Sequence, residues 1–216
     1  CRRGYEVTDL ETGTKLNIDN KYIMSPKDLC TIEFMDKIID AGVKVFKIEG
    51  RARSAEYVKK TAECYRRAAD AVCEDRYTLE LAASLKEELS MVFNRGFWDG
   101  YYQGAKLGEW SDVYGSHATR KKIYCGKITN WFDRISVAEV LVESEALRKG
   151  DDILIIGETT GVIEHNVSEI RVDLKPTEKA AKGALCSIPV IFPDDIRTPG
   201  GKKIRRGDKV YIWREI

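Results

Sequence analysis

Histidine is nearly absent from this chain, with only His117 and His165 among 216 residues. Neither lies in an H-E-x-x-H pattern, and no G-x-S-x-G elbow occurs. The sequence therefore lacks the paired zinc ligands and the nucleophile turn of two large hydrolase classes. His165, in IEHNVSEI, reads as a surface histidine in a turn between strands, and the sequon Asn166-Val167-Ser168 beside it carries no weight in a cytoplasmic protein. An excess of one charge is missing too. With 36 Lys and Arg against 35 Asp and Glu the net charge is +1, so any basic footprint must be local rather than a property of the whole surface. No run approaches the roughly 18 apolar residues that a bilayer span requires, and no signal-peptide pattern is expected. C-x-x-C pairs are absent. Cys1, Cys30, Cys64, Cys73, Cys125 and Cys186 are scattered, which argues for reduced cytoplasmic thiols and against a disulfide framework. All but Cys1 read as small buried hydrophobes. The start at Cys1 rather than Met suggests a chain cut from something longer.

Two patterns of periodicity divide what is present. From residue 22 to 107 the pattern is helical. In YIMSPKDLCTIEFMDKIIDAG, Ser25 suits an N-cap, Pro26 the first helical position and Asp28 a capping box. Leu29, Ile32, Met35 and Ile39 share one face, and Gly42 predicts a left-handed cap. A strand over 43–49 follows, then a helix capped by Ser54 with a stripe of Val58, Ala62, Tyr65, Ala69 and Val72. Helix, strand and helix with short connections form an α/β repeat and imply a parallel sheet, whose missing strands are expected upstream or in a partner chain. A third helix is predicted over about 79–92, and FNRGFWDGYYQG reads as an ordered aromatic loop. From about Lys121 the chain changes to short β runs: KKIYCGKIT, RISVAEVLV, DDILIIG, GALCSIPVIF and DKVYIWR. Arg148-Lys149-Gly150-Asp151 and Arg205-Arg206-Gly207-Asp208 nearly repeat each other before two of them. A small antiparallel β-barrel is the expected result, with the boundary at 111–120.

VFKIEGRARS, residues 45–54, carries charge into the end of an apparent strand. Lys44, Phe46 and Ile48 share one face, and Val45, Lys47 and Glu49 the other. In a parallel barrel the first face suits overlying helices, and the second reaches the C-terminal mouth. Gly50 then turns the chain, delivering Arg51 and Arg53 to the rim before a helix. Mutual neutralisation of Lys47 and Glu49, or a solvent-exposed edge, stays open. Buried ion pairs add little net stability, so the pattern favours Lys47, Glu49, Arg51 and Arg53 as candidate catalytic residues in an active-site wall, facing a small anionic ligand because three cations outnumber one glutamate.

YIMSPKDLC, KIEGRARSAEYV, FNRGF-x-x-GY and CRRGY, in this chain, together resemble the peptidase U32 family, also called collagenase-like. The resemblance implies an α/β portion followed by an all-β portion. Residues 1–114 would be the terminal part of a TIM-like (β/α) barrel, and 115–216 a small antiparallel β-barrel resembling the second domain of elongation factors. It further implies an iron–sulfur-dependent, oxygen-independent hydroxylation factor acting on tRNA or rRNA, with prephenate as a co-substrate of some relatives. The alternatives are a peptidase of unknown catalytic type and a non-catalytic barrel module that binds RNA or protein. By resemblance Cys1 is the last ligand of a [4Fe-4S] cluster, the other three lying upstream, and Asn94 and Arg95 are motif-loop residues. Cys30 has no partner spacing that supports it as a ligand.

An RNA partner agrees with the basic segment Arg197, Lys202, Lys203, Arg205, Arg206 and Lys209, in which Asp208 is the only acid, and with Arg120, Lys121 and Lys122. Phosphate binding and a merely solvated loop face both fit that segment. Trp110 and Trp131 are candidates for stacking on bases, while Trp213 reads as core. An unpaired sheet edge in the first half makes dimerisation a further expectation.

Overall fold

A computed structural model describes residues 3–19, 23–111, 115–191 and 204–216. The chain divides into two units, Cys1–Arg53 with Lys60–Ala118, and Ser54–Lys59 with Thr119–Ile216.

The first unit starts with an antiparallel hairpin, β1 (Tyr5–Thr8) and β2 (Lys15–Ile18). SPKDLC then departs from the expected helix start. Asp28–Leu29 is a strand, β3, and Pro26 bridges Trp110. Backbone bonds explain the difference. Ser111 N donates to Ser25 O, Lys27 N to Glu109 O, Asp28 N to Gly96 O and Cys30 N to Trp98 O, all within 2.9–3.0 Å. Proline also disfavours a helical residue before it. The extended segment thus satisfies its polar groups through the loop at 96–111, and a local cap cannot compete. The helix begins later, with a tight turn at Ile32–Phe34 that runs into α1 (Met35–Asp40). Gly42 (φ +91°) closes α1 as expected, its N–H donating to Ile39 O at 2.8 Å.

Residues 43–50 form no strand. A strand of a parallel sheet is buried on both faces and needs neighbours on its edges, and among the described residues nothing pairs with this segment. Phe46 still packs on the helical core, whereas Val45, Lys47 and Ile48 are exposed. α2 (Ala55–Cys73) and α3 (Leu79–Ser90) follow. The buried face of α2 is Thr61, Cys64, Ala68 and Ala71, with Tyr65, Ala69 and Val72 beside it; Val58 and Ala62 are exposed. That stripe lies one residue, or about 100°, from the predicted one. Small residues on both sides of Tyr65 left the rotation undetermined. Thr78 caps α3, its hydroxyl accepting from Leu81 N at 3.2 Å. The aromatic loop contains a strand, β4 (Phe97–Trp98), which runs parallel to β3. This short pair is the only parallel pairing among the described residues, which make no (β/α) barrel.

Apart from the first residues of α2 and a single 3-10 turn at Asp133–Ile135, the second unit is built of β-strands, as the sequence pattern indicates. Its strands are β5 (Arg120–Phe132), β6 (Val137–Val142), β7 (Leu147–Arg148), β8 (Asp152–Gly157), β9 (Gly161–Asn166), β10 (Ile170–Val172), β11 (Lys175–Thr177), β12 (Lys179–Ala180), β13 (Leu185–Pro189) and β14 (Lys209–Glu215). Eight of them form one antiparallel sheet in the order β11-β10-β13-β6-β5-β14-β8-β9. β12 pairs with β7, the segment leading into β8, so the chain returns from one end of the sheet toward the other. Inward residues such as Ile128, Val140, Ile153, Ile155, Ile163 and Val210 share a single core. The two near-repeats make the same turn. Asp151 Oδ2 accepts from Arg148 N and Asp208 Oδ2 from Arg205 N, each at 2.8 Å. Gly150 (φ +86°) and Gly207 (φ +94°) supply the left-handed residue in each. The turns lead into β8 and β14, which are adjacent.

His165 lies inside β9 and is half-buried, in contrast to the surface turn expected for it. Its Nε2 is buried with no hydrogen-bond partner, and burial holds the imidazole below the ordinary value of 6.5. A depressed histidine favours the neutral folded form, so its contribution is present above pH 6.5 and is lost as pH falls through the folded pKa. Urea unfolding at about pH 7 and about pH 5 should therefore show a loss of stability that shrinks in His165→Gln. An identical pH dependence in the variant would refute this assignment.

Candidate functional site

Three of the motifs meet at one carboxylate. Asp28 Oδ1 accepts from Arg53 Nη2 at 2.9 Å, from Arg95 Nη2 at 3.0 Å and from Arg95 Nε at 3.2 Å. Asp28 Oδ2 accepts from the backbone N of Arg95 at 3.0 Å. The side chains are 13% (Asp28), 16% (Arg53) and 29% (Arg95) exposed, so most of this charge is out of water. The Arg53 guanidinium also lies 4.5 Å from the centre of the Phe93 ring, a cation–π arrangement that fixes its plane.

Local structure explains the convergence. The β3–β4 pairing brings SPKDLC beside FNRGF, with Asp28 opposite Phe97. Asn94 is buried and shapes the bend: its Nδ2 donates to Val92 O at 3.0 Å and Ser90 O at 3.3 Å, and its Oδ1 accepts from Gly96 N at 3.1 Å. Gly96 (φ +79°) then turns the chain against the Lys27 side chain. Arg53 arrives from the turn at 50–53, where Arg53 N donates to Gly50 O at 3.1 Å. Two guanidiniums thus converge on one carboxylate, and guanidinium groups of this kind can hold a carboxylate or phosphate through charge-assisted hydrogen bonds.

Of the residues singled out in the sequence, the structure joins Arg53 and Arg95 and gives Asn94 a supporting role. Lys47 and Arg51 are exposed and make no part of the cluster. Glu49 is exposed and accepts from Arg51 N at 2.6 Å, so it closes its own turn instead of entering the cluster. Asp28, taken from the sequence as a capping acid, is the residue missed; its signal was an acid between a proline and a leucine in a segment with extended preference. Arg205 and Arg206 are exposed on their turn. Cys1, Arg197, Lys202 and Lys203 lie outside the described residues. Trp213 is buried, as expected, whereas Trp110 is 43% exposed and Trp131 Nε1 donates to Asp133 Oδ1 at 3.1 Å.

The buried cysteines are poor nucleophiles and poor ligands. Burial pushes Cys64 and Cys125 up to about 12 and Cys186 to about 11, and raises Cys30 too. Among the described residues no group of three or more His, Cys, Asp or Glu side chains could hold a metal ion. An iron–sulfur cluster therefore does not fit the described residues, and only Cys1 is left as a ligand implied by the resemblance. No helix among the described residues is long and apolar enough to cross a membrane.

Comparison with known proteins gives three kinds of match. The sequence model described as Peptidase family U32 covers residues 1–112. A protein named collagenase from Porphyromonas gingivalis is 53% identical over 98% of this chain and 49% of its own length. The chain thus spans about half the length of that relative. The tRNA hydroxylation protein P1 of Bacillus subtilis is 28% identical over 79% of this chain and 41% of its own. The 23S rRNA 5-hydroxycytidine C2501 synthase of Escherichia coli is 36% identical over 50% of this chain and 17% of its own.

Proposed function

The chain belongs to peptidase family U32, and on that premise we propose that it is part of an oxygen-independent hydroxylation factor acting on tRNA or rRNA in the cytoplasm. The observation that supports this reading is the convergence of Arg53 and Arg95 on Asp28. Hydroxylation needs no nucleophile–base pair in the protein; replacing C–H by C–OH is a two-electron oxidation that needs an oxygen donor and an electron acceptor from outside this chain, and the part its residues can play is to hold a substrate in place. A partly buried pair of guanidiniums suits an anionic group of an RNA or of a small co-substrate such as prephenate. Two relatives named for RNA hydroxylation act on different RNAs, so a shared chemistry with separate RNA recognition agrees with both.

In the complete protein we assign residues 43–49 to a TIM-like barrel whose other strands lie outside this chain, and the all-β unit to an appended barrel of elongation-factor type. Cys1 would be one ligand of a [4Fe-4S] cluster whose remaining ligands also lie outside it. That cluster supplies electron transfer when bound; the residues of this chain bind and orient.

A second reading, a collagenase-like peptidase, is favoured by the 53% identity to the Porphyromonas gingivalis protein. The high values of the buried thiols weigh against those cysteines as its nucleophiles.

Nucleoside mass spectrometry of tRNA and rRNA from cells lacking the gene, complemented with wild type or with Arg53→Lys, separates the readings. Lysine keeps the charge but loses the planar fork. The expected result is a nucleoside one oxygen atom heavier, restored by wild type and reduced at least roughly 10-fold with Arg53→Lys at equal protein level. The purified protein should also show an iron–sulfur absorption band that Cys1→Ala removes. Unchanged nucleosides together with cleavage of gelatin by a colourless protein would overturn the hydroxylation reading.

A further inference from the structure

Where β14 ends beside the start of β5, the two faces of one strand pair treat their cations differently. The register sets Trp213 opposite Lys122, Arg214 opposite Lys121 and Glu215 opposite Arg120. Residues directly opposite share a face, and successive residues alternate between faces. On the face of Trp213 both cations have partners. Arg120 Nη2 lies 2.7 Å from Asp152 Oδ2 and 3.9 Å from Glu215 Oε1, and its guanidinium stands 5.0 Å from the centre of the Trp213 ring. Lys122 Nζ lies 3.0 Å from Glu56 Oε2. On the other face, which carries Ile123 and Ile212, Lys121 and Arg214 stand directly opposite each other. Both are exposed, and neither makes an ion pair among the described residues. Asp151 lines a cleft of about 270 Å³ together with Arg214, but its Oδ2 accepts from Arg148 N at 2.8 Å and the two side chains form no ion pair.

Like charges directly opposite on adjacent strands destabilise a sheet. An anion between them removes that penalty, because Cβ atoms about 5 Å apart let one ammonium and one guanidinium reach the same group. We propose that Lys121 and Arg214 together hold a backbone phosphate of an RNA. The inference rests on the RNA reading above and adds a point on the second unit at which the RNA is gripped. The whole chain carries a net charge of only +1, so a polyanion must find a local contact of this kind. Two features favour a phosphate over an acidic polypeptide. The strand pair offers only aliphatic neighbours on this face, Ile123 and Ile212, so the contact reads charge and is blind to sequence, which is the part phosphate contacts play. Ile212 is buried in this unit's own core, and Ile216 beyond Arg214 is the one exposed large apolar residue described on these two strand ends. That is far short of the apolar centre a polypeptide interface needs.

The test measures the affinity of the complete protein for a fluorescently labelled RNA hairpin across about 50–200 mM salt. For Lys121→Gln with Arg214→Gln the expected result is a loss of at least roughly 5-fold at the low end, with a slope of log affinity against log salt that is shallower by about 1. A hairpin of scrambled sequence should show the same loss. Lys121→Arg with Arg214→Lys keeps both charges and should keep the wild-type slope. So should Lys175→Gln with Lys182→Gln, which removes two exposed charges elsewhere on the same unit. Neutralising Lys121 and Arg214 should leave the urea midpoint unchanged or raise it, because their repulsion is lost. A wild-type slope in Lys121→Gln with Arg214→Gln overturns the proposal and leaves the RNA reading untouched. An equal fall in slope in the Lys175 and Lys182 variant does the same, since the attraction is then diffuse. A lower urea midpoint in Lys121→Gln with Arg214→Gln overturns it as well, because the fold itself then holds the two cations. Loss of binding to poly-L-glutamate with RNA binding intact makes the occupant an acidic polypeptide instead. A wild-type protein that binds no RNA and leaves cellular nucleosides unchanged overturns the RNA reading itself.

Discussion

Asp28→Ala is expected to lower the unfolding free energy by about 3 kcal/mol, the scale for removing one partner from a mostly buried charge cluster. The attraction between Asp28 and its arginines is not the source of that figure, since desolvation offsets much of it. The loss comes from what is left behind. Arg53 and Arg95 would stand together with most of their surfaces out of water, repelling each other without the carboxylate that accepts from both. The backbone N–H of Arg95 would lose its acceptor as well. Asp28→Asn keeps one acceptor oxygen but no charge, and should fall between wild type and alanine. Equilibrium urea unfolding reads these values. A second experiment separates the cluster from the strand that carries it. In a double-mutant cycle, Arg95→Ala added to Asp28→Ala should cost at least about 1 kcal/mol less than Arg95→Ala alone, because the unpaired charge has been removed. Additive effects would mean that Asp28 contributes only through its strand.

The same cluster shows what the sequence could and could not disclose. Arg53 was legible because glycine punctuation and charge at the end of an apolar run are local signals, whereas Arg95 came only through the resemblance of its motif loop. Their partner was not, since Asp28 is 25 residues from Arg53 and 67 from Arg95, and its local surroundings fit a helix cap equally well. What decided the matter was a set of backbone bonds from 25–30 to 96–111, which no local pattern encodes. The strand at 43–49 failed for a related reason. Alternation gave the correct role to Phe46, but a parallel strand exists only through neighbours, and none is among the described residues. The second half was more legible because antiparallel strands find partners nearby in sequence and alternate visibly, as in β6, whose even-numbered residues Ala138, Val140 and Val142 are buried. Even there β9 was taken for a turn around His165, since charged and polar residues at its end masked the buried Val162 and Ile163.

Gly157→Ala is expected to cost about 4 kcal/mol, more than the usual overpacking penalty of 1–3 kcal/mol. Nothing in the backbone of Gly157 forbids a side chain; the obstacle is space. A Cβ would lie 1.9 Å from Asp208 Oδ1 and 2.5 Å from its Cγ. A flexible neighbour could move aside at little cost, but this carboxylate cannot. Asp208 is buried, its Oδ2 accepting from Thr160 Oγ1 at 2.6 Å and from Arg205 N at 2.8 Å. Moving it breaks both bonds and strands a buried charge. The turn it closes also sets β14 between β5 and β8, where Gly207 N donates to Ile128 O and Ile128 N to Asp208 O, each at 2.8 Å. Asp208→Ala alone should cost about 3 kcal/mol by losing those bonds. The two changes should then be strongly non-additive. With Asp208 already alanine, the space beside Gly157 is open, and adding Gly157→Ala should cost about 1 kcal/mol or less. Hydrogen exchange at the amides of Ile153, Leu154 and Ile155 on β8, together with urea unfolding of all four proteins, measures the cycle. If the double variant loses the sum of the single losses, the carboxylate is not what keeps residue 157 a glycine. If it loses little more than Asp208→Ala, one buried acid both builds the Arg205–Asp208 turn and dictates the residue that ends the neighbouring strand.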